Sequence, residues 1–271
     1  MKQPTWDTWG DMRGEVLRRA ALARQPHPPG VRKPALGLFA REFASLWGRG
    51  RGAAARVAPA RHPQPVMLLP GFGAHPRRMQ PMADALAKAG HEVHEWGLGV
   101  NFGPTPENFA FLMKRVGALA RTHRRPVVLV GWSLGGLFAR EIARRQPEAV
   151  AKVITMGTPF SGNPRANNAW RAYQVITGHA VDAPPIECVL GEKPPVPTIA
   201  LWSPRDGVIH PRSAKGWPLE RDRAVAIRCS HLGFASDALS SLFDKGSFAW
   251  SAGGDASASI FDFGGRRAGG A

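Results

Sequence analysis

The sequence predicts an α/β protein, with a mostly parallel central sheet and helices on both faces. From Pro65 onward, short apolar runs alternate with longer amphipathic stretches, the rhythm of strands joined by helical crossovers. The run Val127-Val128-Leu129-Val130 is apolar at every position, as a strand covered on both faces requires. It enters Gly131-Trp132-Ser133-Leu134-Gly135 directly, and a helical pattern leaves it. That strand–turn–helix order exposes a serine hydroxyl at the top of a parallel sheet, with Gly131 and Gly135 as steric requirements of the turn.

Residues 1–62 read as an N-terminal helical extension. Trp6 to Ala23 has helical spacing, with Trp6, Trp9, Val16 and Leu22 available for one face. A Pro- and Gly-rich breaker at 25–30 separates it from a second amphipathic pattern, Ala35 to Trp47, which uses Leu36, Phe39, Phe43, Leu46 and Trp47. Residues 63–246 read as the α/β domain. Val66 to Leu69 is its first strand, Pro76 to Ala89 a helix stopped by Gly90, and His91 to Leu98 a strand. Thr105-Pro106-Glu107 opens the next helix, Thr as cap, Pro in the first turn and Glu complementing the dipole. After the Val127 strand come a helix from Leu134 to Gln146 and a strand from Ala151 to Met156.

Residues 160–195 break this rhythm, with one helical pattern from Asn163 to Ile176. They read as a lid or cap insert after the sixth strand, of the kind that builds pocket walls. Pro197 to Trp202 and Ala224 to Cys229 are the last strands, and Phe234 to Asp244 is a closing helix. The Gly-, Ala- and Ser-rich residues 247–271 read as a disordered tail.

The formal charge is +16, and about half of that excess lies in the first quarter of the chain. The arginines lack the interleaved aromatics of a single-strand-binding platform, so no nucleic-acid partner is expected. Peripheral contact of the basic N-terminal region with an anionic membrane surface remains open. Cys188 and Cys229 are too few for a disulfide framework and read as reduced thiols. No apolar run spans a bilayer and no apolar signal region opens the chain, so a cytoplasmic location is expected. No His, Cys and Asp grouping has metal-ligand spacing, and neither a metal nor another cofactor is expected.

A serine nucleophile needs a base, and the base an orienting acid. Behind a strand–elbow–helix the order along the chain is Ser, acid, His, each just past a strand. Asp206 follows the Pro197 strand and His231 follows the Ala224 strand. Asp182, Asp222 and Asp237 are alternative acids, but Asp222 lies at the wrong end of the last strand and Asp237 in the closing helix. His210 ends no strand, and His91 and His94 lack a paired acid. Two backbone donors suit a developing oxyanion: the Leu134 N–H at a helix N-terminus, and the Phe72 N–H in the loop after the first strand. Each such donor is worth about two to three powers of ten in rate. Both Asp206-Gly207 and Pro70-Gly71-Phe72-Gly73 also suit plain turns.

Five motifs in order resemble the α/β-hydrolase superfamily, nearest its bacterial lipase and esterase-like branch: Leu69-Pro70-Gly71-Phe72-Gly73, Gly131 to Gly136, Gly157 to Phe160, Ser203 to Val208, and Ser230 to Phe234. The resemblance implies that fold, a triad of Ser133, Asp206 and His231, and an oxyanion hole of Phe72 and Leu134. Pro70 stands where many relatives carry His, a side chain with no catalytic role. The reading that follows is a carboxylic-ester hydrolase working through an acyl-enzyme. Its pocket would draw on Trp132, Phe160, Trp170, Tyr173, Val208 and Leu232 and favour a small-molecule ester with an apolar acyl group. An acyltransferase, thioesterase or amidase would use the same three side chains. A catalytically idle protein docking through its basic N-terminal region is the alternative from another class, and an intact site counts against it.

Overall fold

A computed structural model describes residues 7–47 and 59–235. The apolar runs become strands β1 (Pro65–Leu69), β3 (Val127–Trp132), β4 (Val150–Met156) and β5 (Thr198–Trp202). Two short strands, the polar β2 (Glu92–Glu95) and β6 (Arg223–Ala226), form the edges. All neighbours pair parallel, in the order β2-β1-β3-β4-β5-β6.

The period-two geometry of a strand sorts its side chains to two faces. Val66, Leu68, Val128, Val130, Ile154 and Met156 pack on one face, with Met82 and Leu86 of α3 (Gln80–Lys88). Met67, Leu69, Leu129 and Val153 pack on the other. There they meet Phe109, Leu112 and Val116 of α4 (Pro106–His123), and Phe138 and Ile142 of α5 (Leu134–Arg145). Each fully buried side chain of this size contributes about 1.5–3 kcal/mol. Because β1 lies between β2 and β3, the chain leaves it in one direction and returns on its other side. That reversal opens a crevice at the carboxyl ends of β1 and β3, where ligands of such sheets bind.

Several elements differ from expectation for local reasons. The helix expected from Pro76 starts as a 3₁₀ turn, Pro76–Met79, where the His75 ring accepts the Arg77 N–H. The Thr105 cap is as expected: its hydroxyl accepts the Asn108 N–H at 3.1 Å. The strand expected to Leu98 ends at Glu95, and Trp96 turns back to donate its indole N–H to the Gly99 carbonyl. The 160–195 insert follows β4, the fourth strand of six, because the described residues ahead of β1 are helical or irregular and add no strand. Within it only α6 (Trp170–Thr177) is helical. Asn163 and Asn167 instead use their side chains to accept the N–H groups of Arg165 and Ala169, which competes with helix formation. Leu232–Ala235 forms a 3₁₀ turn; the remainder of the expected closing helix, including Asp237, and the tail 247–271 lie outside the described residues.

Ahead of the sheet stand α1 (Asp7–Arg24) and α2 (Leu36–Trp47). Trp6 lies outside the described residues, as do the side chains of Trp9, Phe43, Leu46 and Trp47. Of the apolar face expected for α1, Val16 is exposed and Leu22 half-buried. Polar groups tie the helix to α6 and the residues after it. Arg19 donates to the Val175 and Ile176 carbonyls at the end of α6, Arg18 to Gly178, and Gln174 of α6 to the Leu22 carbonyl. Glu15 pairs with both arginines, whose hydrogen bonds hold its carboxyl below the usual range.

Candidate active site

The elbow after β3 is built by backbone approaching backbone. Ser133 takes φ 53° and ψ −120°, a left-handed conformation in which an L side chain is strained. Its N–H donates to the Met156 carbonyl at 2.8 Å, anchoring the turn to β4. At Gly135 a Cβ would collide with the Leu69 carbonyl and lie 2.7 Å from that of Pro70. Only glycine allows α5 to start so close to β1, and this closeness brings the Phe72 loop beside Ser133.

The Phe72 and Leu134 N–H groups donate to no other described residue. Leu134 opens α5, where the helix dipole favours negative charge. Asn101, fully buried, clamps the loop that carries Phe72. Its side-chain amide donates to the Pro70 carbonyl at 2.7 Å, while its own carbonyl accepts the Gly73 N–H at 2.7 Å. The sequence reading missed Asn101. Its position in a glycine-rich turn after β2, where an Asn side chain satisfies backbone groups, was the available signal.

Asp206 and His231 come together at the carboxyl ends of β5 and β6. Asp206, 1% exposed, accepts from His231 Nδ1 at 2.8 Å through Oδ2. Its Oδ1 accepts the N–H groups of Val208 and Ile209 at 2.8 and 2.7 Å. The same carboxylate thus closes the turn and holds the imidazole. The imidazole sits between Trp132 and Phe234, and the Trp132 indole donates to the His231 carbonyl at 3.0 Å. That indole, on the residue before Ser133, joins the His231 loop to the elbow. Ser133 itself makes no hydrogen bond to the ring, a contact that commonly tightens only around substrate.

An apolar cavity opens from Ser133 and Leu134 between α5 and the 160–195 insert. Phe72, Trp170, Tyr173, Ile186, Val189 and Leu190 line it. Burial pushes the Tyr173 phenol up to about 12, so it stays neutral. Four residues expected in the lining are absent from it. Phe160 is buried beneath the Arg140 guanidinium, 4.1 Å from its ring centre. Trp132 and Leu232 pack with the core on the opposite face of the sheet, and Val208 is spent on the Asp206 turn. Arg140 of α5, 4% exposed, donates to the Leu190, Glu192 and Glu220 carbonyls and so staples the insert. Desolvation pulls its pKa down to about 10, which leaves it charged at neutral pH.

Of the other candidates, Asp182 pairs with Arg165, and Asp222 accepts the Thr198 N–H at the start of β5. His210 caps a short helix, Pro211–Lys215. His94 corrects an expectation, because it does have an acid nearby. Its Nε2 lies 3.0 Å from that of His123, and His123 Nδ1 lies 3.2 Å from Glu92. Such a group can hold a metal ion, and its members come from β2 and the end of α4, a grouping invisible to sequence spacing. Burial and the neighbouring His123 hold the His94 pKa below its ordinary value. Cys188 and Cys229 are not joined to each other in a disulfide. Among the described residues no helix is long and apolar enough to cross a membrane.

Residues 64–175 match a family described as the alpha/beta hydrolase fold. Over 107 residues the chain is 31% identical to the biotin biosynthesis bifunctional protein BioHC of Teredinibacter turnerae, which is 36% of this chain and 18% of that protein. Over 104 residues it is 35% identical to a pimeloyl-[acyl-carrier protein] methyl ester esterase of Aromatoleum aromaticum, 38% of this chain and 41% of that protein. The chain thus matches less than half the length of either relative. Among solved structures, the mature Bacillus licheniformis lipase BlEst2 superimposes with a TM-score of 0.51 at 16% identity, over 68% of this chain and 92% of that one. A lipase-esterase related protein from Clostridium acetobutylicum gives 0.51 at 12% identity, over 68% and 94%. The chain has the α/β-hydrolase fold. Segment 7–47 lies ahead of the residues matched to the family.

Proposed function

We propose that this protein is a serine hydrolase that cleaves carboxylic esters with an apolar acyl group. One observation carries the reading: Ser133 holds its strained elbow beside two undonated N–H groups and an apolar cavity, next to a buried pair of His231 and Asp206. The similarity to a protein named as a methyl ester esterase supports an ester over other acyl compounds.

In this mechanism Ser133 Oγ attacks the acyl carbon and its proton passes to His231 Nε2. The carbonyl oxygen gains the negative charge and accepts hydrogen bonds from the Phe72 and Leu134 N–H groups. Collapse breaks the ester bond, and His231 returns the proton to the leaving alcohol. The same histidine then deprotonates a water that attacks the acyl-enzyme, releasing the acid and restoring the Ser133 hydroxyl. Asp206 keeps Nδ1 protonated and stabilises the imidazolium throughout.

A fluorophosphonate probe should label the wild type and leave Ser133→Ala unlabelled. Turnover of p-nitrophenyl esters by that variant should fall about 10⁶-fold. Equal labelling of both proteins, or turnover confined to thioesters, would sink the ester hydrolase reading.

A further inference from the structure

Glu42 lies on α2, ahead of the sheet, and is 2% exposed. Its carboxylate reaches the two loops that carry the acid and the base. Oε1 accepts the Gly207 N–H at 2.9 Å and the His231 N–H at 2.6 Å; Oε2 accepts the Leu232 N–H at 3.1 Å. Three charge-assisted hydrogen bonds of this kind, each about twice as strong as a neutral one, offset the desolvation of a buried carboxylate. The close approach is built in: at Gly207 a Cβ would collide with the Leu38 carbonyl and lie 2.8 Å from the Phe39 nitrogen. Nothing but glycine there lets α2 reach the loops.

The imidazole can be placed only if both its ring and its backbone are held. Asp206 holds the ring through Nδ1, and Trp132 holds the His231 carbonyl. Among the described residues the His231 N–H is held by Glu42 alone. The same oxygen also takes the N–H of the residue after Asp206, so a single atom sets the spacing between the acid's loop and the base's loop. Farther from the reacting atoms, Ser203 Oγ makes a second link by donating to the Cys229 carbonyl at 2.5 Å. Glu42 is not among the residues that line the apolar cavity.

We infer that Glu42 is a positioning residue for the base, supplied by the N-terminal segment, which thereby completes the active site. The inference rests on the serine hydrolase reading above. A base displaced by about 1 Å costs about 10²-fold in rate, and that is the loss expected here. It should fall on kcat with KM unchanged, since substrate binding does not involve this carboxylate.

The test compares the full-length wild type with Glu42→Gln and Glu42→Asp on a p-nitrophenyl ester, with kcat referred to sites titrated by fluorophosphonate so that unfolded molecules do not count. Gln keeps the reach but opposes an amide N–H to one backbone N–H; Asp keeps the charge but is one methylene too short to hold both loops. Each should lose kcat, and Glu42→Gln should cost nothing further in a His231→Ala background, because it acts only through that ring. In that background Ser133 lacks its base, and turnover is referred to folded protein measured by circular dichroism. Wild-type kcat in either variant overturns the assignment, and so does an equal loss with and without His231. A wild type that is neither labelled nor active overturns the hydrolase reading and takes this inference with it.

Discussion

Around Ser133 the chain is held by backbone pressed against backbone; around His231 it is held by side chains brought from far away. The elbow depends on Gly135 lying against the Leu69 and Pro70 carbonyls, with β3 paired on both sides within the sheet. His231 depends on Asp206, Trp132 and Glu42, which lie 25, 99 and 189 residues away along the chain. Steric fit tolerates no added atom, whereas a polar clamp can be loosened in steps. The nucleophile end should therefore fail by unfolding and the base end by losing rate.

The sharpest way to break this comparison is Gly135→Ala. Its methyl group would meet two backbone carbonyls with no flexible side chain to give way, so a loss of more than about 4 kcal/mol in unfolding free energy is expected. A variant that melts like the wild type in urea would show that the elbow has slack. Next in size, Asn101→Ala removes the side-chain bonds to Pro70 and Gly103, keeps the backbone bond to Gly73, and so loosens the Phe72 loop while leaving the elbow intact. Its kcat should fall about 10²-fold through a misplaced donor. If ester turnover is unaffected, that loop holds its shape without Asn101.

The smallest effect belongs to the contact between the N-terminal segment and the insert. Gln174 is fully buried, donates to the Leu22 carbonyl and accepts the Val181 N–H. Gln174→Ala should cost about 1–3 kcal/mol of stability while kcat stays near that of the wild type, because this contact touches neither catalytic loop. A large drop in kcat with unchanged stability would mean that α1 and α6 also set the active-site geometry.

How much of this was legible follows the same division. Val127 to Gly136 could be read because strand, elbow and helix are contiguous, and their steric demands fall on neighbours in the chain. The pairing of Asp206 with His231 could be anticipated because both end strands of one parallel sheet. Trp132 and Phe160 were misplaced because an aromatic residue beside a motif looks the same whether it faces the cavity or the core. Asn163 to Ala169 was read as helix on its apolar spacing, although its two Asn side chains compete for the backbone N–H groups.

The amino-acid order alone determined the parallel sheet, the turn that presents Ser133, and the chain order of acid and base, because each depends on side-chain period and on residues a few positions apart. Folding in three dimensions decided which aromatics face the cavity, that Asn101 clamps the Phe72 loop, and that Glu42 reaches the His231 backbone. A carboxylate's partners across 165 and 189 residues of chain leave no periodic trace in the sequence; they exist only once α2 has packed against Gly207.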